Sequence, residues 1–223
     1  IKTAGRTFVG LICIPFISGC SVLGMATVEE AVYETLLVDG DFEVREYAEM
    51  IQVEVQSGED YKSASNSGFR QLFGYISGEN AAEQEIAMTA PVFISPVKDK
   101  ADGMDSDLTE SNDWRVAFVL PSGFRYQDSP KPGNDAVRVV SVPAGTMAVL
   151  RFPGRMDVDL MSEMRNKLEK NMVRFGLEPA GGALWAGYNP PWTPGVLRRN
   201  EVLMPVKSGK HLIGQHTKTQ NSL

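Results

Sequence analysis

Two alternating stretches set the pattern of the chain. Residues 42–47 (FEVREY) and 51–56 (IQVEVQ) place apolar side chains at every second position, the period of a strand with one buried face. The period then changes to three and four: Ala64, Gly68, Phe69, Leu72, Phe73 and Ile76 mark one face of a helix. Asp60 stands where an N-cap is needed, and Gly78 where the helix must stop. Two further strands are predicted, at 85–94 (EIAMTAPVFI), where Pro91 marks an edge or bulge, and at 114–120 (WRVAFVL). Between them, residues 97–113 are acidic and polar without periodicity, the pattern of a surface loop.

The same order then recurs. Strands at 137–142 and 146–152 flank a turn at Pro143, Ala144 and Gly145. Asp157 or Asp159 caps a helix in which Leu160, Met161, Met164, Leu168, Met172 and Phe175 share a face, and Gly176 ends it. Strands at 183–188 and 200–206 complete the chain's regular part. The order strand, strand, helix, strand, strand, twice over, predicts one α+β domain. Its two pseudo-symmetric halves join their strands into a distorted, barrel-like sheet with a helix on each half. Residues 126–135, with Pro130, Pro132 and Gly133, read as a long turn between the halves. The connection before the last strand, AGYNPPWTPGVLRRNEV at 186–202, holds three prolines that cannot lie in the middle of a paired strand, so it is stiff, aromatic and outside the sheet.

The N-terminus differs from the rest. Lys2 and Arg6 precede an uncharged apolar run at 8–17, and Ser18, Gly19 and Cys20 follow it, the layout of a secretory signal. Its ending resembles that of a bacterial lipoprotein, in which the cysteine carries the lipid. The resemblance predicts a signal at 1–19, lipidation at Cys20, a tether at 20–32, a domain at 33–206 and a polar tail at 207–223. The protein would then sit in the cell envelope, anchored to a membrane and facing the periplasm or the outside. Cys13 and Cys20 are the only cysteines, so the folded part has no thiol for a disulfide, a metal or catalysis.

Charge and reactive residues narrow the function. With 28 Asp and Glu against 22 Lys and Arg, a net charge of −6, the chain has no overall positive field for nucleic acid. Its two histidines, His211 and His216, lie in the tail. No nucleophile with a histidine base, no paired carboxylates and no glycine-rich phosphate loop stand out, so an enzyme is not predicted.

Four stretches are more specific than pattern. FEVREY at 42–47, GYISGEN at 74–80, IAMTAPV at 86–92 and AGYNPPWTPGVLRRNEV at 186–202 resemble, in order and spacing, the SOUL family of haem-binding proteins. The resemblance runs from about residue 33 to 206 and implies a distorted β-barrel that binds haem or a related tetrapyrrole, metal-free porphyrin included. Some members carry a histidine, proposed as an axial ligand, at the position matched by Glu46, so that bond cannot form here and the metal ligand stays open. In other members the porphyrin is thought to lie on the first helix, which carries over to Phe69 and Phe73, four residues apart on one side. The flanking basic positions match Asn66 and Gly74, and Arg70 between them is the substitute partner for a propionate. Met88, in IAMTAPV, adds a thioether that could bind iron. Arg198 and Arg199 face either a propionate or an acid such as Glu201, and Trp192 is expected to close the barrel mouth. The function implied is non-enzymatic: a carrier, buffer or scavenger of tetrapyrrole. The alternatives are a binding module for another flat amphipathic ligand or a protein partner, and a tetrapyrrole-modifying enzyme.

Overall fold

The structure, a computed structural model, describes residues 28–97, 108 and 111–207. The expected signal and Cys20, most of the 97–113 loop, and His211 and His216 lie outside the described residues.

The chain runs β1 (Glu29–Glu30), β2 (Tyr33–Asp39), β3 (Phe42–Tyr47), β4 (Met50–Ser57), α1 (Tyr61–Ile76), β5 (Thr89–Ala90), β6 (Val92–Pro96) and β7 (Trp114–Val119). It continues through β8 (Val137–Val142), β9 (Gly145–Phe152), α2 (Val158–Arg174), β10 (Leu184–Gly187) and β11 (Asn200–Pro205). Both helices start at the predicted caps: Asp60 accepts from the Lys62 and Ser63 amides, and Asp157 from that of Leu160.

Nine strands form one antiparallel sheet in the order β2-β3-β9-β11-β10-β6-β7-β4-β8. If β3, β4, β6 and β7 of the first half are matched with β8, β9, β10 and β11 of the second, the order from β3 to β8 reads the same from either end. The pseudo-two-fold axis therefore passes between β6 and β10, which pair as Trp185↔Ile94 and Ala186↔Phe93. Each half lends its first strand to the other, since β3 pairs with β9 and β8 with β4. The duplication is thus locked by exchange, which ties both halves into one domain.

Two strands go beyond the predicted pattern. β2 pairs with β3, with a register shift between Thr35 and Leu37 that breaks its alternation. β1 lies within the stretch expected as tether and pairs in parallel with β5. The predicted strand at 85–94 is divided at Pro91, which has no N–H to donate: β5 before it pairs with β1, and β6 after it pairs with β7 and β10.

Alternation gives the sheet two apolar faces. One packs under the helices through Val53, Val55, Leu72, Trp114, Leu168 and Trp185. The other, with Tyr47, Phe93, Ala117, Val149 and Leu203, is buried as well. No described helix belongs to that second cluster, so the sheet curls on itself into a half-barrel to cover it.

Candidate functional site

On the helical face, beside the pseudo-two-fold axis, α1 stands away from the central strands and leaves a groove of about 650 Å³. That size lies in the ordinary range for small-molecule sites. One side of α1 supplies its first wall: Tyr61, Ser65 and Phe69 follow one another at four-residue spacing, with Asn66 and Arg70 alongside. The floor is Val92 and Ile94 of β6, Val116 of β7 and Gly187 of β10. Gly187 matters because a Cβ there would stand 3.2 Å from the Met156 methyl, which packs across it.

The opposite wall is the proline-rich connection, through Asn189, Pro191 and Arg198. Its stiffness has a structural cause beyond its prolines. Arg198 donates from Nε to the Thr193 carbonyl at 2.8 Å and from Nη2 to that of Pro191. Asn189 accepts from the Arg199 amide at 2.6 Å. The Gly154 amide donates to the Gly195 carbonyl at 2.9 Å, and Asn200 donates to Gly154 at 2.9 Å, which fastens the connection to the turn before α2. Gly154 has φ +115, a backbone state that side chains disfavour.

The structure brings together two of the four sequence-predicted contacts. Phe69 and Arg70 line the groove. Phe73 stacks on Phe69 with ring centroids 6.1 Å apart but lies one turn beyond the lining and is 51% exposed. Met88 is part-buried against the main core, away from these residues. Glu46, on β3, does not line the groove either, so the strand position that carries a histidine in some proteins is remote from it. Trp192 closes nothing: it is 81% exposed, and the expectation of a barrel plug is corrected. The prolines hold its backbone outward, with Pro191 turned to the groove.

Sequence reasoning missed Tyr61 and Met156 as lining residues, because they come from two separate helix starts. The expected alternative of Arg199 facing Glu201 is what the structure shows, but the pair belongs to a buried charge cluster, with Arg45, on the other face of the sheet, which sequence reasoning missed. There Glu201 accepts from Arg45 Nη1 and Nη2 at 2.8 and 3.0 Å, from Arg199 Nε and Nη2 at 3.1 and 3.0 Å, and from the Tyr188 hydroxyl at 2.7 Å. Burial alone would push the Glu201 carboxyl up, but Arg45, Tyr188 and Arg199 outweigh it and hold it below its ordinary range. Burial also opposes the charge on Arg45, and Glu201 and Glu43 more than restore it. Burial pushes the Tyr47 phenol up to about 12. Arg199 further reaches Glu30 at 3.0 Å, which joins β1 to the connection. The cluster is fully committed to its own partners and is a brace rather than a binding site.

Two other concavities suit a tetrapyrrole less well. One of about 490 Å³ lies beside β1 and carries Glu29, Glu30 and Glu49 with a single cation, Arg125, which is itself paired with Asp128, so its charge balance disfavours an anionic ligand. The other, of about 180 Å³ inside the curled sheet, is smaller than an ordinary ligand site. Among the described residues no group of three or more His, Cys, Asp or Glu side chains could hold a bare metal ion, and no helix is long and apolar enough to cross a membrane.

The chain is 28% identical over 180 residues to human Heme-binding protein 2, covering 76% of this chain and 80% of that one. It is 31% identical over 117 residues to mouse Heme-binding protein 2, covering 52% and 53%. Among solved structures, the EcmrR C-terminal domain shares the fold at a TM-score of 0.54 and 14% identity, over 79% of this chain and 99% of that one. A hydrolase from Listeria innocua does so at 0.50 and 11%, over 77% and 94%. Residues 28–205 match the family described as SOUL heme-binding protein, and the chain belongs to that family.

Proposed function

We propose that the protein binds haem or a related tetrapyrrole in the groove between α1 and the 189–198 connection, without catalysing a reaction on it. It would serve as a carrier, buffer or scavenger, held at a membrane through a lipid on Cys20. The observation that carries the reading is the pairing of an apolar trough with a cationic rim on a member of a haem-binding family. Phe69, Val92, Ile94 and Val116 offer hydrocarbon to a flat macrocycle, and Arg70 makes no ion pair with any described residue. Arg198 commits Nε and Nη2 to the connection and retains Nη1 for a second carboxylate. The helix N-termini contribute little to anion binding, because Asp60 and Asp157 already occupy their amides. Bound haem would supply an iron centre; the chain's own residues would bind the ring, shield one face from water and neutralise the propionates.

The test is a titration of the full chain, as Cys20→Ala to keep it free of lipid, with ferric haem and with metal-free porphyrin, followed by the Soret band. Saturable binding that Phe69→Asp weakens by an order of magnitude or more supports the groove. Binding no tighter than nonspecific adsorption, or unaffected by Phe69→Asp, refutes it. Membrane fractionation of the unmodified chain, lost in Cys20→Ala, tests the tether; unchanged fractionation sinks that part.

A further inference from the structure

Few atoms of the groove can hold iron. Its lining contains no histidine or cysteine, and the donors that iron accepts in proteins reduce to the Tyr61 hydroxyl and the Met156 thioether. Tyr61 is the first residue of α1, two turns before Phe69 on the same side. Its ring is fixed edge-on against the buried Trp114, with centroids 5.3 Å apart and planes at 68°.

Its hydroxyl, like those of Tyr33 and Tyr126, bonds to no described residue, and of these three tyrosines Tyr61 alone lines the groove. A phenol in a folded protein normally has a hydrogen-bond partner. Tyr47 accepts from Arg45 at 3.0 Å, Tyr75 donates to the Pro130 carbonyl at 2.9 Å, and Tyr188 donates to Glu201 at 2.7 Å. Tyr61 is more than half-buried, yet its hydroxyl pairs with no described residue. Burial pushes this phenol up to about 12, the charge of Asp157 adds to the rise, and Arg198 opposes it. The geometry is what makes it a candidate: Tyr61 lines the groove, its ring is held by Trp114, and its hydroxyl is not committed to another described residue.

We infer that Tyr61 is the axial ligand to the iron of a ferric tetrapyrrole in this groove, an assignment that rests on the tetrapyrrole reading above. The phenol loses its proton to solvent, and the resulting phenolate oxygen donates an electron pair to the ferric ion in place of a water. Ferric iron, a hard acid, takes an oxyanion in preference to the soft thioether of Met156. Met156 has another task, since its methyl packs over Gly187 at the groove floor.

The experiment compares wild type, Tyr61→Phe and Met156→Leu in the full chain, each titrated with ferric haem and with metal-free porphyrin. Phenylalanine keeps the ring and its contact with Trp114, so folding is preserved, as circular dichroism would verify. The ferric complex of wild type is expected to show a phenolate-to-iron charge-transfer band and, under excitation in that band, tyrosinate ring modes in the resonance Raman spectrum. Tyr61→Phe should lose both signatures and bind ferric haem about tenfold or more weakly, with metal-free porphyrin affinity unchanged. Met156→Leu should retain the signatures. If both porphyrins bind and Tyr61→Phe leaves the ferric spectrum and affinity as they were, the ligand assignment is wrong while the groove stands. If neither porphyrin binds wild type, the groove reading fails and the ligand with it.

Discussion

Glu201→Ala is the most informative single change to the scaffold. The carboxylate is wholly buried and receives five hydrogen bonds of 2.7–3.1 Å from Arg45, Arg199 and Tyr188. Its removal strands the guanidinium of Arg45, which is 0% exposed and keeps only Glu43, at 2.7 Å, as an ionic partner. Breaking a buried ion pair in this way costs about 3–5 kcal/mol. For a domain of this length each kcal/mol lowers Tm by about 2–4 °C, so a fall of roughly 6–20 °C is expected. Glu201→Gln retains the shape and loses the charge, and should fall between Ala and wild type. Replacing Arg45 as well, as Arg45→Met with Glu201→Leu, should recover part of the loss, because Arg199 keeps Glu30 and Glu43 keeps Arg151, while the Tyr188 hydroxyl still loses its acceptor. Thermal and urea unfolding of the four proteins measure this. A loss below about 1 kcal/mol for Glu201→Ala would show that water or Glu43 compensates Arg45, and would refute the view of the cluster as a brace.

Other outcomes follow from the same geometry. Because Glu201 is held below its ordinary range, its stabilisation is present above about pH 4.5, its unperturbed value, and is lost as pH falls through the lower folded value; the urea midpoint should drop with acid in wild type and less steeply in Glu201→Gln. Gly68→Ala would place a Cβ 2.7 Å from Val116 Cγ2 and 3.2 Å from Val55 Cγ1, so despite alanine's better helix propensity it should destabilise, by about 1–3 kcal/mol before that offset; equal or greater stability would show that α1 can lift off the sheet. Trp114 and Trp185 are buried and Trp192 is exposed beside the groove, so Trp192→Phe should alter porphyrin quenching of fluorescence more than its share of the three tryptophans; proportional loss would place the ligand elsewhere. The double variant Phe69→Asn with Phe73→Lys should lose porphyrin binding and also lower Tm, because Phe69 packs against the buried Phe118, whereas Phe73→Lys alone, at a 51% exposed position, should leave Tm within about 2 °C; retention of binding by the double variant would count against the α1 face.

The elements were legible because each obeys a local rule. Alternation marks β3 and β4, and Asp60 and Asp157 mark the helix starts. Pairing is non-local and was not legible: β3 and β4 are consecutive, yet β3 joins β9 from the other half. β2 escaped notice because the shift at Thr35 and Leu37 spoils its alternation. Charged residues in a strand read as solvated, which hid Arg45 and the burial of Glu201, though not its pairing with Arg199; only the curl of the sheet buries them, and curl is a property of all nine strands together. Of the site, Phe69 and Arg70 were legible from the family resemblance. Tyr61 and Met156 were not, since each begins or precedes a helix in a different half, and only the pseudo-two-fold packing brings them to one groove.

That pseudo-symmetry also separates structure from function. Aligning the two helices on their caps, Asp60 and Asp157, matches Ser65, Asn66, Phe69, Arg70 and Phe73 of α1 with Ser162, Glu163, Asn166, Lys167 and Lys170 of α2. Both helices keep apolar residues where they meet the sheet: Ala64 and Leu72 in α1, and Met161, Leu168 and Met172 in α2. They differ along the flank beside that contact, where the side chains are part-exposed or exposed. Packing alone asks for polar residues there, which is what α2 has. In α1 the same side carries two stacked phenyl rings, one 36% and the other 51% exposed; Phe69 packs edge-on against the buried Phe118, and Phe73 stacks on Phe69. One half of the duplicate therefore has polar side chains on that flank, while the other bears a part-exposed aromatic pair, the asymmetry expected if the ligand face proposed above is on α1.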